Sequence, residues 1–168
     1  MSITVRLLAD RLADAPAVAD LRCQEWGHAP EPTDPAFWLA TTLREAGRDT
    51  LPVTYVACDD DHVVGAVGMD VRDLDEWHDE AGWPFRDVTP WVTGMIVAPD
   101  RRERGVGRQL MGHLEQWAIE RGIEQAWVAT EIAVGFYERC GWTRLDTLRK
   151  ANGDTVDILT KVLRPAAQ

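Results

Sequence analysis

Apolar and polar residues alternate over residues 3–9, the period of a strand with one buried face. From Asp14 the period lengthens. Val18, Leu21 and Cys23 lead to Trp26 at helical spacing, with Asp14 placed to cap the helix. After the proline-broken run HAPEPTDP, Thr33 or Asp34 caps a second helix through Phe37, Trp38 and Leu43, closed by Gly47. Residues 51–58 and 63–71 are β-branched runs joined by the acidic turn Asp59-Asp60-Asp61-His62, which predicts a hairpin. Residues 72–90 are the one long irregular stretch, and segments of that length in compact domains carry function or move.

Beyond it, residues 91–97 read as a strand. Residues 105–121 follow as a helix, with Val106, Leu110, Leu114, Trp117 and Ala118 on one stripe. Residues 125–130 form a strand and 132–140 a short helix stopped by Gly141. Residues 143–149 and 155–162 form two strands joined by the hairpin turn Asn152-Gly153. The order β-α-α-β-β-β-α-β-α-β-β predicts one α/β domain over residues 1–168, a mixed sheet of about seven strands with about four helices. The unit at 91–130 should be a right-handed crossover between roughly parallel strands.

Composition narrows the class. The chain has 168 residues, 45% hydrophobic and 27% charged, as in ordinary globular proteins, and a formal net charge of −10. That balance argues against a nucleic-acid partner, which needs a basic face. The N-terminal segment carries Asp10 and Asp14 where a signal peptide would be apolar, and no run of about 18 apolar residues exists. A cytoplasmic protein without a membrane span is therefore expected. Cys23, Cys58 and Cys140 lack disulfide or CxxC spacing, and the four histidines lack metal-ligand spacing, so no metal is expected. The preference for Arg over Lys hints at a bacterial, GC-rich genome.

The chemistry concentrates in residues 91–108, WVTGMIVAPDRRERGVGR. A strand, a sharp turn and two glycines open a helix there. Unpaired N–H groups and the positive end of the helix dipole make an anion site. Gly105 and Gly107 allow close backbone approach, and Arg101, Arg102, Arg104 and Arg108 add charge. A pyrophosphate fits such a place. The run is neither a Walker loop nor a complete dinucleotide fingerprint, since Gly-Lys-Ser/Thr and a third glycine are missing. The plainer alternative is a helix start whose arginines face water.

The run Val97-x-Pro99-x-x-Arg102-x-x-Gly105-x-Gly107 resembles the acetyl-CoA signature of the GNAT superfamily of N-acetyltransferases, and Phe136-Tyr137-Glu138-Arg139-Cys140-Gly141-Trp142 is similar to its FYEKxGF segment. The resemblance implies acetyl-CoA as cosubstrate and direct attack of an amine on it in a ternary complex. It assigns backbone groups of Ile96 and Val97 to the pantetheine arm and thioester carbonyl. The amides of Arg102, Glu103, Arg104, Gly105, Val106 and Gly107 go to the pyrophosphate, and Arg101 or Arg108 to the 3′-phosphate. Tyr137 takes the position of the acid that protonates the leaving thiolate; a purely structural role anchoring its helix is the alternative. Thr130 stands where the family commonly has a pantetheine-binding Asn, and its hydroxyl retains one such bond.

No acid occurs in residues 91–97, where many members carry a general base. Asp70, Glu25, Glu131 or a water near Thr93 are the substitutes. Asp70, Asp73, Asp75, Glu76, Asp79 and Glu80 would attract a cationic acceptor if they bordered its cleft; otherwise they solvate a loop. Trp26, Trp38, Trp77, Trp83 and Trp91 offer faces for ammonium groups, though Trp38 and Trp117 read better as core. A small-molecule amine is the first expectation for the acceptor and a protein N-terminus or lysine the second. A non-catalytic acyl-CoA-binding module is the alternative from another class. An acetylating toxin acting on RNA is opposed by the charge, and a homodimer is allowed.

Overall fold

The computed structural model describes residues 2–73, 83–150 and 153–164. β1 (Ile3–Leu7) runs through two 3₁₀ turns into α1 (Ala15–Trp26) and α2 (Pro35–Arg44). β2 (Val53–Asp59), β3 (His62–Asp70) and β4 (Trp91–Val97) follow, then α3 (Val106–Glu120), β5 (Gln125–Thr130), α4 (Val134–Arg139), β6 (Thr143–Arg149) and β7 (Thr155–Val162). The strands form one sheet in the order β1-β2-β3-β4-β5-β7-β6. β4 and β5 are parallel, whereas the β1–β2, β2–β3, β5–β7 and β6–β7 pairs are antiparallel. The expected mixed α/β sheet is what forms, with four α-helices among the described residues.

The chain packs as two compact units. One comprises residues up to 69 with 94–114; the other comprises 70–93 with residues from 115 on. In the first, the core is built from Leu8, Ala15, Val18, Val56, Ala66 and Ile96. Gly65 of β3 is needed there, since a Cβ would stand 2.8 Å from the Ile96 carbonyl and 3.2 Å from Leu110. In the second, Trp91 is wholly buried with Val128, Ile158 and Leu159, and its indole N–H donates to the Val88 carbonyl at 2.9 Å. The α3 stripe is buried at all five predicted positions, from Val106 to Ala118.

Local departures have physical causes. Asp14 occupies the cap position of α1 but makes no capping bond. Its buried carboxylate instead pairs with Arg11 at 3.1 Å. Asp34, rather than Thr33, caps α2, accepting from the Ala36 N–H at 2.9 Å. α2 ends at Arg44, before Gly47. Gly47 serves a close approach, its N–H donating to the Pro52 carbonyl at 3.1 Å where a Cβ would collide. α4 begins two residues later than expected, because the Thr130 hydroxyl accepts from the Ala133 N–H at 3.0 Å and ends the preceding turn. Asn152 of the predicted hairpin turn lies outside the described residues, while Gly153 has the left-handed φ of +93° such a turn requires.

Candidate active site

In the first unit the site grows from the end of β4. The β4–β5 pairing covers Trp91 with Trp127 and Val92 with Val128. Two residues later Gly94 takes φ +56°, breaking the regular strand before Ile96 and Val97. A 3₁₀ turn, Pro99–Arg101, then leads to α3. Between them φ changes sign: Arg102 is extended at φ −65°, Glu103 stands at +62° and Gly105 at +83°, with Arg104 outside the positive region. Positive-φ residues in a turn can bring successive N–H groups to one side, where they are able to hold an anion. Val106 and Gly107 stand in the first turn of α3, whose N–H groups have no carbonyl one turn earlier to receive them. The Gly105 carbonyl takes the Gln109 N–H at 3.1 Å, placing Gly105 at the cap. A Cβ on Gly105 would meet nothing within 4 Å, so the space beside Gly105 is open.

Arg102 braces this loop with its side chain. Its Nε donates to the Val97 carbonyl at 2.9 Å, and a terminal N–H reaches Glu25 at 3.0 Å. Arg101 is held by Asp100 at 2.6 Å and lies 3.5 Å from Asp59. Arg104 and Arg108 are exposed.

In the second unit, Tyr137 is 4% exposed on α4. Its ring meets Phe136 edge-on at 5.1 Å and Trp142 at 6.1 Å. Burial holds its phenol protonated well above the usual tyrosine range, reinforced by the negative charge of Asp73 and by Cys140. Trp83 stacks on Trp91 at 6.0 Å, with Phe85 edge-on to both. Trp77 and the acids Asp75, Glu76, Asp79 and Glu80 lie outside the described residues.

The carboxylates considered as bases all have structural partners. Glu25 pairs with Arg102, Glu131 with Lys150, and Asp70 accepts from the Val71 N–H at 2.6 Å. The Thr130 hydroxyl accepts from Ala133, leaving its O–H to donate elsewhere. Trp38 and Trp117 are core, as their helical positions predicted. One residue escaped the sequence reading altogether. Arg22 is 2% exposed and shares the buried face of α1 with Ala15, Val18 and Ala19, whereas Leu21 and Cys23, expected on that stripe, are only half-buried. Among the described residues no three His, Cys, Asp or Glu side chains gather as a metal site, and no helix is long and apolar enough to cross a membrane.

This combination of a broken β4, an alternating loop and a glycine-capped helix on a mixed sheet coincides with a known family model. The acetyltransferase (GNAT) family model matches residues 15–142, and the chain belongs to that family. No curated protein matches the sequence. Among solved structures, an aminoglycoside 6′-N-acetyltransferase complexed with coenzyme A is similar at TM-score 0.74 and 17% identity, over 100% of both chains. A Salmonella typhimurium protein with its cofactor acetyl-CoA gives TM-score 0.72 at 16% identity, covering 100% of this chain and 98% of that one. The Escherichia coli ribosomal-protein-S18-alanine N-acetyltransferase gives 0.69 at 18%, covering 99% and 97%. At such identities the likeness is one of fold.

Proposed function

We propose that the protein transfers the acetyl group of acetyl-CoA to a primary amine of a small molecule, directly within a ternary complex. The observation that carries this reading is the alternating backbone of Arg102–Gly105 at the head of α3, in a segment with a local charge of +3 on a chain of −10. The open space over Gly105 fits a pyrophosphate, whose charge the loop amides and the helix dipole would offset. Ile96 and Val97, past the irregular Gly94, would orient the pantetheine and acetyl ends through their backbone.

Acetyl-CoA, when bound, supplies an acetyl group activated as a thioester. Tyr137 would hold a proton at Oη for the departing sulfur, and its raised pKa keeps that proton in place through neutral and mildly basic pH. Proton removal from the acceptor ammonium would fall to a water, since β4 has no acid and Glu25, Glu131 and Asp70 have partners. Among solved structures of like fold, one acts on aminoglycosides and one on a protein alanine, so both acceptor classes belong in the test. Thiol release from acetyl-CoA should be stimulated at least tenfold over hydrolysis by some members of a panel of aminoglycosides and polyamines. Peptides with free N-termini should stimulate less. Stimulation by peptides alone would move the acceptor to proteins. Tight acetyl-CoA binding without stimulation by either class would make the chain an acyl-CoA-binding module.

A further inference from the structure

The least expected feature of the first unit is a buried cation. Arg22 of α1 is 2% exposed, and its Nη1 donates to Glu45 at 2.7 Å and to the Thr42 hydroxyl at 3.2 Å. Glu45 is the residue at the C-terminal end of α2 and offsets the buried charge. Nε and Nη2 have no hydrogen-bond partner among the described residues. Their neighbour is the backbone of β4. A Cβ built on Gly94 would stand 2.7 Å from Nη2, 3.2 Å from Cζ and 3.3 Å from Nε. Gly94 is also the residue at φ +56°, between the last β4–β5 pair at Val92 and the Ile96–Val97 segment.

We infer that Arg22, held by Glu45 and Thr42, is the positioning residue that fixes the break in β4 at Gly94 and so sets the register of the Ile96 and Val97 backbone toward the acetyl group. The guanidinium occupies the volume a side chain at position 94 would need, so strand and helix are fitted to each other there. Helix-dense burial of an arginine with two idle donors is costly for the fold alone. A leucine would fill the same space without that cost. A planar group locked to α2 through Thr42 and Glu45 does something a leucine cannot: its fixed face abuts the strand at Gly94 and sets the distance by contact. This inference rests on the acetyl-CoA reading and adds the residue that tunes its acetyl end.

The test uses CoA and acetyl-CoA as calorimetric probes and needs no acceptor. Both share the pyrophosphate proposed to sit on the α3 loop and the pantetheine arm, and only acetyl-CoA adds the thioester carbonyl to be read by Ile96 and Val97. In R22K the ratio of the acetyl-CoA to the CoA dissociation constant should rise by about three- to tenfold, the worth of one hydrogen bond, with CoA affinity within about twofold of wild type. G94A reaches the same contact from the strand and should raise the ratio likewise. In the R22K/G94A double variant, the shorter lysine tip relieves the collision, so the two effects should not multiply. A folded R22K or G94A whose ratio stays within twofold of wild type overturns the inference. So does loss of folding in both, since the contact would then determine the fold rather than tune the site. Wild-type protein that binds neither probe would instead sink the acetyl-CoA reading itself.

Discussion

At Tyr137 the ring and the hydroxyl are used for different ends. The ring is packed between Phe136 and Trp142, contacts a phenylalanine would keep. The proposed proton donor is the hydroxyl alone. Tyr137→Phe should therefore lower kcat by about 10²-fold, within the range for one acid–base group, and leave acetyl-CoA affinity within about twofold. An undiminished kcat would remove the hydroxyl from the chemistry. The raised pKa also has a stability consequence. A phenol held protonated by the fold contributes stability that is fully present below its ordinary value of 10.0 and is lost as pH rises toward the folded value. Wild-type melting temperature should consequently fall faster above pH 10 than that of the Phe variant. The FYER segment announced this residue in the sequence. Arg22 gave no such signal, because helical periodicity looks for apolar residues and a buried arginine reads as a gap in the stripe. Only its tertiary partners Thr42, Glu45 and Gly94 explain it.

Among elements, α3 and the loop before it were the most legible. The stripe from Val106 to Ala118 fixed the buried face, and two glycines beside four arginines marked the end proposed to meet the pyrophosphate. The sequence did not disclose that Glu103 also takes a positive φ in the turn before the helix. Nor did it show that Arg102 would spend its side chain on Val97 and Glu25 rather than on a phosphate. Gly105→Ala tests this element. No neighbour lies within 4 Å to collide with the methyl, so the stability loss should be the backbone term alone, about 1 kcal/mol by chemical denaturation. Acetyl-CoA affinity should fall by about tenfold or more, because the methyl enters the space over the amides. Arg102→Ala frees the Val97 carbonyl and the loop, and should weaken acetyl-CoA about fivefold through its dissociation rate. Stopped-flow release measures it, and unchanged release would leave Arg102 a surface residue.

For the whole molecule, the order of elements was readable because strands and helices carry different periods, and the seven-stranded sheet follows that order. The acceptor was not readable. The strand acid that would mark the base is missing from residues 91–97, and the acidic run continues into residues 75–80, outside the described part. Charge is distributed unevenly: net −10 overall, with +3 over residues 101–108. Exposed phosphate contacts are screened by salt, so the KM for acetyl-CoA should rise several-fold between about 50 mM and about 500 mM salt, while kcat changes little. A flat KM would shift the affinity to the pantetheine arm. Transfer of an acetyl group from acetyl-CoA to an amine is measured most directly by following two products of one reaction. Purified protein, acetyl-CoA and the amine giving the strongest thiol release should yield free CoA and N-acetylated amine, by mass spectrometry, in equal amounts. Free CoA without acetylated amine, or neither product from an enzyme that binds acetyl-CoA, would contradict it.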